Sequence, residues 1–140
     1  DADDFHSAAA KDKMRAGTPL VDEDRWPWLE RLRRRIEEVR ASGRPYVLAC
    51  SALKAVYRDR LRGGDAPGEL QFVLLDGSRE LIAERMGKRE GHYMPLSLLD
   101  SQLATLERTD DLLAVPIESG IEAIAQGIVE RLATTSQAHV

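Results

Sequence analysis

Three carboxylates and an imidazole fall within six residues at Asp1, Asp3, Asp4 and His6. If that segment is extended, Asp1 and Asp3 point the same way. Such a pair at the carboxyl end of a strand suits water-mediated magnesium binding and abstraction of a hydroxyl proton. Taken alone, the same residues also read as a solvated acidic stretch. A second group is Cys50, Ser51, Lys54, Tyr57 and Arg58, placed where an apolar run hands over to a helical pattern. Ligands of open α/β sheets bind outside the carboxyl ends of the strands. Lys54 and Arg58 are four apart and share a helix face, so they offer several donors to one polyhydroxy or anionic ligand, a solvated face being the plain alternative. Cys50 reads as a small buried apolar residue, because no histidine neighbours it in sequence.

A third group runs from Arg85 through Lys88, Arg89, Gly91, His92, Tyr93 and Met94 to Pro95. Here a helix ends in positive charge and enters a glycine-bounded loop. Cations near a helix C-terminus complement its dipole. As a lid over about 85–97, the same cations would neutralise a transferring phosphoryl group. The arginines between Arg31 and Arg35 are interleaved with Glu30, Glu37 and Glu38, which makes them a solvated helix face rather than a nucleic-acid surface.

These groups need elements to hold them, and the pattern alternates between helix and strand, as in a parallel sheet covered on both faces. Ser7 caps a short helix that stops at Gly17. A long helix begins near Asp22 or Asp24 with Pro27 in its first turn, carries Trp26, Leu29, Leu32, Ile36 and Val39 on one face, and closes at Ser42-Gly43. Apolar runs at Pro45–Cys50 and Gln71–Leu75 predict buried parallel strands. Leu113–Ile117 predicts a third, at an edge or ending early because Pro116 lacks an amide proton. Further helices are predicted at about 53–61, 78–87, 97–107 and 119–133. Residues 63–68, with three glycines and a proline, predict a surface loop.

The 140 residues, 43% of them apolar and 31% charged, bound the answer to one globular domain over 1–140. No apolar run approaches the roughly 20 residues of a membrane span, and no signal pattern appears. One cysteine gives no intrachain disulfide and no zinc spacing, which fits a reducing, cytoplasmic compartment. Residues 1–70 hold 14 basic and 13 acidic side chains against 6 and 11 in 71–140, which excludes a broadly basic nucleic-acid binder.

Taken together, the strings DADDFH, KMRAGTPLVDEDRWPWL, CSALKAVYRDRLR and REGHYMPLSLLDSQLATLE resemble the gluconate kinases of the P-loop, shikimate-kinase-like group. Four motifs in order across nearly the whole chain carry the resemblance. It implies a three-layer α/β fold with a parallel sheet and helices on both faces. It also implies a cytoplasmic kinase, commonly a homodimer, that moves the γ-phosphoryl group of ATP onto the 6-hydroxyl of D-gluconate with magnesium.

By that resemblance Asp1 lies near magnesium and Asp3 holds the acceptor hydroxyl as its base. His6, Lys13 and Arg25 line the sugar-acid pocket, Arg25 gripping the carboxylate. Ser51, Lys54, Tyr57 and Arg58 form the facing wall. Arg85, Lys88 and Arg89 are lid cations on the nucleotide, Arg89 acting in catalysis, and His92 with Gln102 turns toward the substrate. Ala2, Ser7 and Ala10 stand where the family usually has Gly, Pro and Asn, and the stretch from Arg108 to Leu113 is shorter than in relatives, which touches adenine contacts. No G-x-x-x-x-G-K-[ST] occurs among these residues. The resemblance therefore implies a strand, phosphate loop and helix of roughly 30 residues ahead of Asp1, a gap at the central strand, and a chain that by itself is catalytically silent. A sugar-acid binding or regulatory module without a nucleotide site is the other reading, and a kinase acting on a different acceptor a third.

Overall fold

The structure, a computed structural model, describes residues 1–64, 69–88 and 95–138. A 3-10 turn at Ala2–Phe5 leads into α1 (Ala8–Arg15), α2 (Asp22–Ala41), α3 (Ala55–Arg62), β1 (Phe72–Asp76), α4 (Arg79–Gly87), α5 (Leu96–Thr105), β2 (Leu112–Pro116) and α6 (Ile121–Ala138). Contacts group the chain into two compact units, one of residues 1–63 and 89–107, the other of 64–88 and 108–140. No helix among the described residues is long and apolar enough to cross a membrane.

In the first unit α2 is the organising element. Asp24 accepts the Val21 amide at 3.0 Å, which satisfies one orphan donor of the first turn, and Asp22, Glu23 and Asp24 oppose the positive end of the dipole. The buried seam is Trp28, Leu29, Leu32 and Ile36, each worth roughly 1.5–3 kcal/mol on burial. Trp28 takes the place expected for Trp26, which instead stands edge-on to the Tyr57 ring with the Arg60 guanidinium 4.7 Å over its own. Because the helix starts at Asp22, Pro27 sits inside it, past the first turn. Pro27 cannot donate to the Glu23 carbonyl, and both residues are exposed, so that carbonyl lies on the open side of the helix. Gly17, at φ 78°, makes the turn between α1 and α2.

The Asp1–Asp3 segment is a turn, not the extended strand end that alternation required. Asp1 Oδ1 accepts the Asp3 amide at 2.9 Å, the local capping that Asp side chains favour over extended structure. The turn is pinned from both sides: Trp28 Nε1 donates to the Ala2 carbonyl at 2.7 Å, and the Ala2 amide donates to Ala49 at 2.8 Å. The run 45–50, expected as a buried strand, forms no ladder among the described residues, and Val47 is 95% exposed. Its residue types suit a strand, but a strand exists only with a bonded neighbour.

Arg58 also departs from expectation. It does not share a solvated or ligand-facing surface with Lys54 but is fully buried at the base of α3. Its Nη1 donates to the carbonyls of Ala52 at 2.6 Å and Leu53 at 3.1 Å, and its Nη2 to that of Glu107 at 2.7 Å. A buried guanidinium is tolerated when its donors are met in this way. Glu107 reciprocates, its amide donating to Leu53 at 2.7 Å and its carboxylate accepting the Ala55 amide at 2.8 Å. That carboxylate caps α3, whose own N-cap residue, Lys54, makes no side-chain cap.

In the second unit β1 and β2 pair in parallel with Phe72 opposite Leu112 and Asp76 opposite Pro116. The run predicted at 71–75 and the run predicted at 113–117 are thus neighbours, and β2 ends at its proline. Ser78 caps α4, its hydroxyl accepting the Leu81 amide at 3.1 Å. A Cβ at Gly77 would lie 2.6 Å from the Ile117 side chain, so only glycine fits where the chain leaves β1. Arg131 on α6 donates to the Ala114 carbonyl of β2 at 2.7 Å.

Arg58→Met keeps most of the volume and takes the guanidinium donors from the Ala52 and Glu107 carbonyls, while that of Leu53 keeps the Glu107 amide. It is expected to lower unfolding free energy by about 3 kcal/mol in a urea titration, and a loss below about 1 kcal/mol contradicts the clamp.

Candidate functional site

The first unit contains a cleft whose polar lining is His6 from the turn, Arg25 on α2, Ser51 ahead of α3, and Ser101, Gln102 and Thr105 on α5. Trp28, Met14, Pro19, Leu20 and Leu98 supply the apolar part. Leu98, Ser101, Gln102 and Thr105 recur at three- and four-residue spacing and so share one helix face. Thr105 turns its hydroxyl back to the Ser101 carbonyl at 2.8 Å.

His6 stacks on Trp28 with ring centroids 4.3 Å apart and planes 14° from parallel. Its Nε2 stands 3.9 Å from an Asp3 carboxylate oxygen, while Nδ1 is buried with no hydrogen-bond partner. Burial, reinforced by the charges of Arg25 and Arg31, lowers its pKa to about 4. At neutral pH the ring is therefore uncharged, one nitrogen donating and the other accepting, as hydroxyl recognition requires.

Arg25 is largely buried, and its Nη1 donates to the Leu20 carbonyl at 2.9 Å and to the Tyr57 phenolic oxygen at 3.2 Å. The Tyr57 hydroxyl donates to Asp22. Lys54 Nζ lies 3.7 Å from the same Asp22 oxygen and 5.6 Å from the Tyr57 ring centroid. The Tyr57 hydrogen bond, aided by Lys54 and Arg25, holds the Asp22 carboxyl below the usual carboxylate range. Burial, with Asp22 beside it, pushes the Tyr57 hydroxyl up. Lys13 pairs with Asp24 at 2.9 Å, and that hydrogen bond leads the lowering of the Asp24 pKa.

Among the residues singled out in the sequence, His6, Arg25, Ser51 and Gln102 meet in the cleft. Lys54 and Tyr57 join Arg25 through Asp22, and Lys13 reaches α2 through Asp24. Asp3 lies beside His6, and Asp1 caps the turn. Arg58 does not line the cleft and is taken up by main-chain carbonyls. Arg85 and Lys88 belong to the second unit, where Arg85 donates to the Ser119 carbonyl at 3.1 Å and Lys88 pairs with Glu84 at 3.0 Å. Arg89 and His92 lie outside the described residues, as does 65–68 of the expected surface loop. Asp22, Trp28, Ser101 and Thr105 are cleft or network residues that the sequence reading passes over. The α5 face was detectable from its spacing around Gln102, whereas Asp22 looks in sequence like an ordinary helix start.

Desolvation pushes the half-buried Cys50 thiol up to about 12, which disfavours the reactive thiolate. Among the described residues no group of three or more His, Cys, Asp or Glu gathers to hold a metal. The carboxylates of Asp1 and Asp3 are of the right donor class for magnesium, which takes one or two protein carboxylates and keeps its waters.

No family model matches the chain. A gluconokinase of Arabidopsis thaliana is 42% identical over 148 residues, covering 96% of this chain and 78% of the relative. The thermosensitive gluconokinase of Escherichia coli (strain K12) is 42% identical over 130 residues, covering 90% of this chain and 68% of the relative. The crystal structure of a gluconokinase from Sinorhizobium meliloti 1021 superposes with a TM-score of 0.83 at 43% identity, covering 98% of this chain and 77% of that one. An unliganded sugar kinase from Janibacter sp. HTCC2649 gives 0.82 at 43% identity, with 92% and 75% covered.

The depressed His6 pKa has a consequence for stability. Between pH 6.5 and 4 the unfolded chain takes up a proton at His6 that the folded chain refuses, so stability falls as pH drops through that window and is flat above it. Thermal or urea unfolding at pH 7 and pH 4.5 should show a His6-dependent loss of roughly 2 kcal/mol, and His6→Gln should remove that part of the slope. An unchanged slope in the variant contradicts the buried, neutral imidazole.

Proposed function

Because the chain belongs to the gluconokinase family, we propose that its cleft takes D-gluconate and presents the 6-hydroxyl for phosphorylation by ATP. By family it is a phosphotransferase, and its parallel-stranded α/β architecture is of the P-loop kinase type. The observation that carries the reading is one cleft lined by a largely buried guanidinium, an uncharged imidazole, a hydroxyl from Ser51 and the face of α5 bearing Ser101, Gln102 and Thr105. An anion and a run of hydroxyl groups are the ligand features those donors and acceptors answer.

In this reading Arg25 binds the sugar-acid carboxylate, since a planar guanidinium meets a carboxylate with two hydrogen bonds. Lys54 adds charge behind it. Neutral His6, Ser51 and Gln102 orient the hydroxyl groups, and Trp28 excludes water along one side. Asp3 takes the proton from the acceptor hydroxyl as a general base. Arg85, Lys88 and Arg89 act as lid cations on the nucleotide, with charge as their contribution, Arg89 in catalysis, and His92 turns toward the substrate. Asp1 would hold magnesium through its waters, and when bound the ion neutralises phosphate charge. The phosphate-cradling loop is not among these 140 residues, so this stretch supplies acceptor recognition rather than the anchor for the β- and γ-phosphates. A cytoplasmic homodimer goes with the reading on the strength of the family alone.

The test is phosphorylation of a panel of sugar acids, polyols, shikimate and nucleoside monophosphates by the full-length protein. Gluconate is expected to show the highest kcat/KM. Preference for another acceptor overturns the substrate, and gluconate binding without turnover favours the binding module. Arg25→Ala should raise the gluconate KM about ten- to a hundredfold with a smaller change in kcat, whereas Arg89→Ala should mainly lower kcat. Equal effects on both constants from either change contradict these roles.

A further inference from the structure

Asp22 is named in none of the groups above that sequence spacing picks out, yet Arg25 of the cleft and Lys54 beside it converge on its carboxylate. One oxygen, Oδ1, accepts from the Tyr57 hydroxyl, stands 3.7 Å from Lys54 Nζ and 3.9 Å from Arg25 Nη1. Tyr57 is fully buried, so its hydroxyl has no water to turn to. With its one proton committed to Asp22, the phenolic oxygen is left as an acceptor, and Arg25 Nη1 fills it at 3.2 Å. The other Nη1 proton goes to the Leu20 carbonyl. Both donors on that nitrogen are thereby bound to the protein, and the guanidinium plane is fixed before any ligand arrives. A ligand carboxylate must then be met by the remaining N–H groups.

We infer that Asp22 is a positioning residue: it polarises Tyr57 in one direction, and through that hydroxyl sets the orientation of the arginine that receives the carboxylate. It also separates Arg25 from Lys54, two cations that would otherwise repel across the Tyr57 ring, over which they stand at 5.3 Å and 5.6 Å. This inference rests on the gluconate reading of the cleft. The geometry gives it a signature that a merely structural residue would lack. Removing the carboxylate lets the Tyr57 hydroxyl rotate and compete for other acceptors, so Arg25 loses its orientation while the reacting groups around Asp3 are untouched.

The experiment is steady-state kinetics and gluconate calorimetry on full-length Asp22→Ala, Asp22→Asn, Tyr57→Phe and the Asp22→Ala/Tyr57→Phe double variant. Asp22→Ala should raise gluconate KM and Kd about tenfold with kcat within about threefold of wild type. Asp22→Asn, which keeps an acceptor but not the charge, should recover part of that loss. The double variant should be no worse than Asp22→Ala by more than about twofold, because both changes cut the same connection. An unchanged gluconate affinity in Asp22→Ala, kcat and KM affected alike, or additive losses in the double variant each overturn the inference. If the wild-type protein itself fails to bind gluconate, the reading of the cleft falls first and takes this inference with it.

Discussion

The buried guanidinium of Arg58 and its exchange with Glu107 is the interaction on which the first unit depends. Three carbonyl groups, two ahead of α3 and one just after α5, are drawn to a single planar cation. Glu107 returns an amide to Leu53 and a carboxylate to the first amide of α3. The segment that carries Ser51 and the helix that carries Gln102 are therefore locked to each other by five hydrogen bonds around one charge. Removing that charge without replacing its donors would leave the Ala52 and Glu107 carbonyls without their bonding partner. The cleft exists because its two walls share this anchor.

Around the cleft, acids and bases are matched locally while the imidazole is kept neutral. Asp24 takes Lys13, and Asp22 takes Tyr57 and lies close to Lys54 and Arg25. His6 is held uncharged by burial against Trp28 and by the arginines nearby. The result is a site with fixed positive charge at one position and neutral donors and acceptors elsewhere. That division of labour suits a ligand with a charged end and an uncharged body.

Much of this was legible in the sequence. The spacing of Leu29, Leu32 and Ile36 predicts α2, Ser7 marks a cap, and the apolar runs at β1 and β2 are read within a residue. His6 and Ser51 stand out by their neighbours in sequence, and Arg25 and Gln102 by the family resemblance. The failures share a cause. The run 45–50 has strand residues, but whether a strand forms depends on a partner elsewhere in the chain. Arg58 looks like a helix-surface cation, and only the placement of Glu107, 49 positions later, shows it to be internal. Asp22 reads as a favourable first-turn acid, and nothing in its neighbours reveals that Tyr57, 35 positions on, donates to it.

The cap on α3 comes from Glu107, a residue 52 positions beyond the amide it serves. At eight residues, α3 is too short to hold itself together in water. Its cap is made only when those 52 positions of chain close on it, an entropic cost that a locally capped helix avoids. The start of the helix and the exit of α5 thus belong to one cooperative unit: neither opens without releasing hydrogen bonds of the other.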